Sequence, residues 1–238
     1  MNPGESCLLL TGSINPKDVF SLKRSDPAVR ENDYYDAIIR WLRFNIPLVF
    51  CENSNYDSEK IKSISNPNFE YLRYEEDEDL SQKGKGWGEY LIMKYAHEHS
   101  QIIKKTSFVI KITGRLYIRN FRKILASAEQ QDFDVMAPLE NNLKWTDSRL
   151  IIYHRGFFDR YFAPYASQIN DSSGLPFERA LAFAIHALLA DNKKWEMPSC
   201  YPKYQGYSGT HNKRYTLFYK WSVLKWIRFP LLKYLIRL

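Results

Sequence analysis

Apolar and polar positions change in blocks along this chain, and the length and period of each block separate strands from helices. Residues 7–12 (CLLLTG) predict a buried strand ending in a turn, and 47–54 (PLVFCENS) a second strand ending in polar residues. Between them, 26–44 places Tyr34, Ile38 and Trp41 at helical spacing, with Asp26 as N-cap and Pro27 in the first turn. FEYLRY (69–74) alternates as a short strand, and EEDEDL (75–80) reads as a solvated acidic loop. A glycine-rich loop then leads into a helix over 84–100 (GKGWGEYLIMKYAHEHS). FVIKITG (108–114) and DVMAPL (134–139) are further strands, and 149–162 is a strand running into a helix. The clearest helix is 175–192, with Pro176 in its first turn. Strands alternating with helices predict an α/β domain with a mostly parallel central sheet and helical crossovers.

Composition adds limits to this picture. A chain of 238 residues suits one sizeable domain, and 45% apolar with 16% aromatic residues can build its core. Cys7, Cys51 and Cys200 are widely spaced, which argues against a disulfide framework or a zinc site. The start, MNPGESCLLLTG, lacks the basic and long apolar regions of a signal peptide or anchor, so a cytoplasmic protein is expected. The net charge of +7 is uneven: residues 214–238 hold Arg214, Lys220, Lys225, Arg228, Lys233 and Arg237 and no acid. A general nucleic-acid surface would spread that charge over the body, so no nucleic-acid partner is expected. The chain therefore divides into a domain over 1–213 and a C-terminal basic amphipathic helical tail over 214–238. The tail is too charged to span a bilayer, and its Trp221, Trp226, Phe229 and Tyr234 suit an anionic membrane surface; packing on the domain or on a partner is the other reading.

In open α/β sheets ligands bind where loops leave the carboxyl ends of the strands. The polar residues at those places are Thr11, Gly12 and Ser13, then Glu52 and Asn53, then Thr113, Gly114 and Arg115. In GKGWGE (84–89), Lys85 and Gly86 precede a helix and could cradle phosphate, although the spacing is not that of an ATPase loop. Glu89 fits the helix N-terminus equally well. QGYSGTHNKRY (205–215) is a polar stretch of the kind that closes over a ligand, with Ser208, Gly209, Thr210, His211 and Lys213 in reach of phosphate. His97 and His99 stand two apart on a helix and do not share a face.

Taken as a set, TGSINP, R-x-DP-x-x-R, DYYDAI, VFCENS, GKGWGE, FVIKITGR and QGYSGT resemble small bacterial glycosyltransferases of capsule and lipopolysaccharide gene clusters. The resemblance covers roughly residues 6–212 and implies a single GT-A-like, Rossmann-like domain. It implies a nucleotide-sugar donor and a saccharide or lipid-linked acceptor, handled at the cytoplasmic face of the inner membrane. On it, residues 11–13 with Arg24 or Arg30 lie by the nucleotide, and Glu52 and Asn53 approach the base or ribose. Metal-dependent relatives carry Asp-x-Asp where this chain has Thr113-Gly114-Arg115, so a divalent metal is left open with no such motif to hold it. Arg115, helped by Lys111 and Lys85, can instead neutralise a diphosphate directly. Glu178, at the start of the 175–192 helix, is the expected catalytic base, with Asp147 and Glu140 in reserve. The rival readings are a non-catalytic membrane-surface module and, less favoured, a nucleic-acid-binding protein.

Overall fold

The computed structural model describes residues 5–16, 22–75, 83–215, 229 and 231. Residues 76–80 of the expected acidic loop lie outside these, and so does the basic tail apart from Arg214, Tyr215, Phe229 and Leu231. The first half runs β1 (Ser6–Gly12), α1 (Pro27–Leu42), β2 (Leu48–Glu52), α2 (Glu59–Lys62), β3 (Phe69–Arg73), α3 (Lys85–His99), α4 (Gln101–Lys104) and β4 (Phe108–Thr113). Then come β5 (Tyr117–Ile118), α5 (Phe121–Glu129), β6 (Val135–Met136), β7 (Leu139–Glu140), β8 (Trp145–Thr146) and β9 (Leu150–His154). A π-helical turn (Phe158–Phe162), α6 (Ala163–Ala166), α7 (Phe177–Ala190), β10 (Trp195–Glu196) and β11 (Tyr204–Gln205) complete the described order.

Seven strands form one sheet in the order β10-β6-β9-β4-β1-β2-β3. All pairings in it are parallel except those of β9, which runs against β4 and β6. The mostly parallel sheet expected from the alternation is thus the one formed. β1 and β2 are buried along their whole length because helices cover both faces. On one face Leu9, Val49 and Val109 pack under α3 and α7. On the other, Leu10, Phe50 and Ile112 pack under α1 and α5. Asp26 caps α1 by accepting from the Val29 amide at 3.0 Å, and the helix buries Tyr34, Ile38 and Trp41, the three positions its period selects. Trp41 also donates through Nε1 to the Leu116 carbonyl at 2.9 Å, so its indole N–H enters the core satisfied.

Three local expectations change. The single strand over 134–139 divides into β6 and β7, because Pro138 lies between them with no N–H to give a ladder. The helix after β9 begins as a π-helical turn. Pro176 is the N-cap of α7 and stands just outside its first turn.

Candidate active site

The sheet changes winding direction at β1. Its connection through α1 leads to β2 on one side, while β4 lies on the other. A switch of this kind leaves a crevice at the strands' carboxyl ends, where the two outgoing loops part. Thr11 and Thr113 are partners in the β1–β4 register, and the Gly114 amide donates to the Thr11 carbonyl at 2.8 Å. A Cβ on Gly114 would stand 2.6 Å from that carbonyl oxygen, and one on Gly12 would stand 2.7 Å from the Phe50 ring. Both glycines are therefore required by close approach, which is why the two strand ends read Thr-Gly.

The β1–α1 loop is shaped from beneath. Ser13 donates its amide to the Tyr34 hydroxyl at 3.0 Å. Arg30, 3% exposed, donates to the Ser13 carbonyl at 2.7 Å, the Arg24 carbonyl at 2.9 Å and the Tyr34 hydroxyl at 3.0 Å. Its guanidinium is thus turned to the protein's own backbone, a different placement from the expected one beside a nucleotide. Glu52 is fully buried and accepts from the amides of Ser54 at 3.0 Å and Tyr56 at 2.8 Å and from the Ser54 hydroxyl at 2.5 Å. Burial pushes its carboxyl above the usual range, and those hydrogen bonds oppose the shift. Asn53 joins the β2 end to the crevice by donating its amide to the Gly12 carbonyl at 3.2 Å.

The glycine-rich loop before α3 is clamped by a carboxylate of the protein itself. Gly86 donates its amide to Asp171 Oδ2 at 3.2 Å, and Asp171 donates its own to the Lys83 carbonyl at 2.9 Å. At Gly84, whose φ is +100°, a Cβ would lie 2.4 Å from the same carboxylate. The expected phosphate position at the Gly86 amide is therefore held by Asp171. Lys85 itself is exposed. Its ammonium is lowered from the usual lysine range by partial burial and by the positive charges of Arg115 and Arg30, with Asp171 opposing.

A polar chain crosses the interior just beneath the crevice. Thr11 Oγ1 donates to Glu89 Oε1 at 3.2 Å. Lys111, with no exposure at all, pairs with the same Glu89 oxygen and donates to the Ser148 carbonyl at 2.7 Å. Ser148 Oγ in turn donates to Glu178 Oε1 at 2.9 Å. The chain thus runs from β1 through α3 and β4 to the first turn of α7. Lys111, expected to help neutralise a diphosphate, instead sits inside this chain with its ammonium met by Glu89. Burial raises the Glu178 carboxyl above its ordinary value, the charge of Glu89 adds to the rise, and Ser148 and Lys111 oppose it. Of the reserve acids, Asp147 is locked onto Arg149, whose Nε donates to it at 2.8 Å, and Glu140 lies on β7.

The 206–212 turn closes the other side. Arg115 donates through Nε to the Tyr207 carbonyl at 3.0 Å, and a Cβ on Gly209 would lie 3.1 Å from the Arg115 guanidinium. Arg24 stacks over the Tyr207 ring at 4.1 Å, donates to Asn212 Oδ1 at 2.8 Å and pairs with Asp33. Ser208 Oγ accepts from the His211 amide at 3.2 Å, and Thr210 lies in the same turn. Nothing in the sequence marks Ser148, Asp171 or Tyr207 for a role, and Glu89 fits a helix N-terminus. Lys111 in an otherwise apolar strand was the one available signal, since a buried cation calls for a buried acid. Among the described residues no three His, Cys, Asp or Glu side chains gather as a metal-ligand set. The strand end where relatives in the resembled family hold a metal offers a threonine, a glycine and an arginine, which do not suit a cation.

No family model and no curated protein matches the sequence. Among solved structures, the chain is similar to a protein of Desulfovibrio desulfuricans G20 provisionally assigned as a nucleotide-diphospho-sugar transferase. The TM-score is 0.45 at 13% identity, over 82% of this chain and 79% of that one. It is also similar to the mannosyltransferase Ktr4p of S. cerevisiae, with a TM-score of 0.48 at 14% identity over 94% and 81% of the two chains. Similarity of this degree carries neither protein's activity to this chain.

Proposed function

We propose that this protein is a glycosyltransferase that uses a nucleotide-sugar donor bound in the β1–β4 crevice. The observation that carries the reading is the Thr11–Glu89–Lys111–Ser148–Glu178 chain, which fixes a carboxylate beneath the crevice where Arg115 follows the β4 end. Transfer of a glycosyl group breaks the bond from the anomeric carbon to the diphosphate and forms one to an acceptor oxygen. Two groups must be served, a leaving dianion and an acceptor proton. Arg115 and Lys85 supply positive charge to the first, with the 206–212 turn held over it. Glu178 takes the second, and its raised proton affinity strengthens it as a base. Ser148, whose carbonyl is held by Lys111, keeps that carboxylate in position. Thr113, Gly114 and Arg115 at the β4 end offer a divalent metal no seat.

In its finer form the reading places the enzyme in surface polysaccharide assembly, acting on a saccharide or lipid-linked acceptor at the cytoplasmic face of a membrane. The cations and aromatic residues of 214–238 support the membrane contact. Titration calorimetry of the full chain with a panel of nucleotide sugars tests the donor reading. Binding of one donor, weakened about tenfold or more by Arg115→Ala, is expected. If no nucleotide sugar binds, the crevice is not a donor site and a non-catalytic module takes its place.

A further inference from the structure

A second basic site lies away from the crevice. A cleft of about 480 Å³ opens between the C-terminal end of α1 and the start of α5, lined by Arg40, Arg43, Phe44, Tyr117 and Arg122. Every charged side chain in its lining is positive. Arg40 lies over the Tyr117 ring at 5.7 Å and Arg122 over the Phe44 ring at 5.5 Å. Each of these guanidinium groups thus lies within cation–π reach of a ring and brings its charge to the cleft. Elsewhere Arg24, Arg73, Arg149 and Arg160 each meet an aspartate. Among the described residues, none of the three cleft arginines meets a carboxylate.

Helix electrostatics accounts for two of these arginines but not the third. Arg40 and Arg43 suit the negative end of α1. Arg122 stands in the first turn of α5, the positive end, where a cation is disfavoured and where no acid is present. Nor does Asn120 cap that turn. Its side chain donates to the Tyr201 carbonyl at 3.1 Å and accepts from the Lys203 amide at 2.7 Å. A cation cluster at an uncapped helix start leaves positive charge that no described carboxylate balances. A second hollow of about 410 Å³, walled by Tyr35, Ile39, Leu42 and Ile64 among others, adjoins the cleft and shares Arg43. It gives an attached organic group somewhere to lie.

We propose that this cleft binds the phosphate or diphosphate group of an organic ligand, with Arg40, Arg43 and Arg122 as its ligands and Phe44 and Tyr117 as its walls. It is separate from the crevice at β1 and β4, and it stands whether or not that crevice holds a sugar donor. The test uses the full chain carrying Lys85→Gln and Arg115→Gln, which removes the crevice cations. This parent is titrated with inorganic pyrophosphate and, separately, sedimented with phosphatidylglycerol vesicles. Arg43→Gln with Arg122→Gln is then added. Both side chains are exposed, so the thermal midpoint should not move. A fall of about tenfold or more in affinity for either probe supports the site. A fall for pyrophosphate assigns a free phosphate ligand, and a fall for vesicles alone assigns a lipid headgroup. Failure of the parent to bind either probe, or binding that the added pair leaves unchanged, overturns the proposal.

Discussion

A lysine with no exposure, midway along a central strand, stays charged only where a partner meets it. Lys111 finds Glu89 and the Ser148 carbonyl, and these tie it to Glu178. Removing Lys111 leaves the part-buried Glu89 carboxylate unmatched and an apolar strand with a cavity in it. Lys111→Ala should therefore lower unfolding stability by about 3–5 kcal/mol, read by urea denaturation at neutral pH. A loss well under 1 kcal/mol would mean that the pair is open to water. The carboxyl of Glu178 lies above its ordinary 4.5 because burial favours the protonated form. A base must be ionised to act, so activity should rise with pH through a midpoint above 4.5 and level off beyond it. Glu178→Gln should abolish that limb and lower turnover by about a hundredfold or more. The same direction of shift fixes the sign for stability. The folded state holds its proton more tightly than the unfolded chain, so Glu178 and Glu52 both withdraw stability as pH rises from the ordinary value through the raised one.

The elements were largely legible because their signals are local. α1 announces itself through Asp26, Pro27 and the Tyr34, Ile38, Trp41 stripe, and each of these residues does in the structure what its position suggests. α5 carries no capping side-chain bond and no proline, so its short amphipathic run went unmarked. The strand ends could be listed from sequence, but not their order in the sheet. Register between β1 and β4 is set by pairing across about a hundred residues, and no local pattern encodes it. For the same reason Lys111 and Arg30 could be picked out while their partners could not. Whether a cation faces solvent or a carbonyl is decided by what packs above it. Gly114 offers an element-level test. Its substitution by Ala would press a methyl on the Thr11 carbonyl and part the two strand ends, at a cost of about 1–3 kcal/mol. An Ala variant with unchanged thermal midpoint and donor affinity would show that the close approach is not needed.

At the scale of the whole molecule, charge and site are set apart. The body is close to neutral, and the cations of 214–238 would hold it to an anionic surface. Phe229 is 3% exposed and packs edge-on to Tyr201 with ring centroids 5.7 Å apart, so any test must keep that side chain. Replacing Lys220, Lys225, Arg228 and Lys233 by Gln should weaken sedimentation with anionic vesicles about tenfold or more while leaving turnover of a soluble acceptor intact. Unchanged sedimentation would pass the membrane role to other cations. The central claim is that the crevice at the β1 and β4 ends transfers a sugar by stabilising its leaving diphosphate. Steady-state donor consumption over a panel of nucleotide sugars, comparing the natural chain with Arg115→Ala, tests it most directly. Consumption of one donor should fall by about a hundredfold or more with the thermal midpoint unchanged. A folded Arg115→Ala protein that turns over at the natural rate would contradict it.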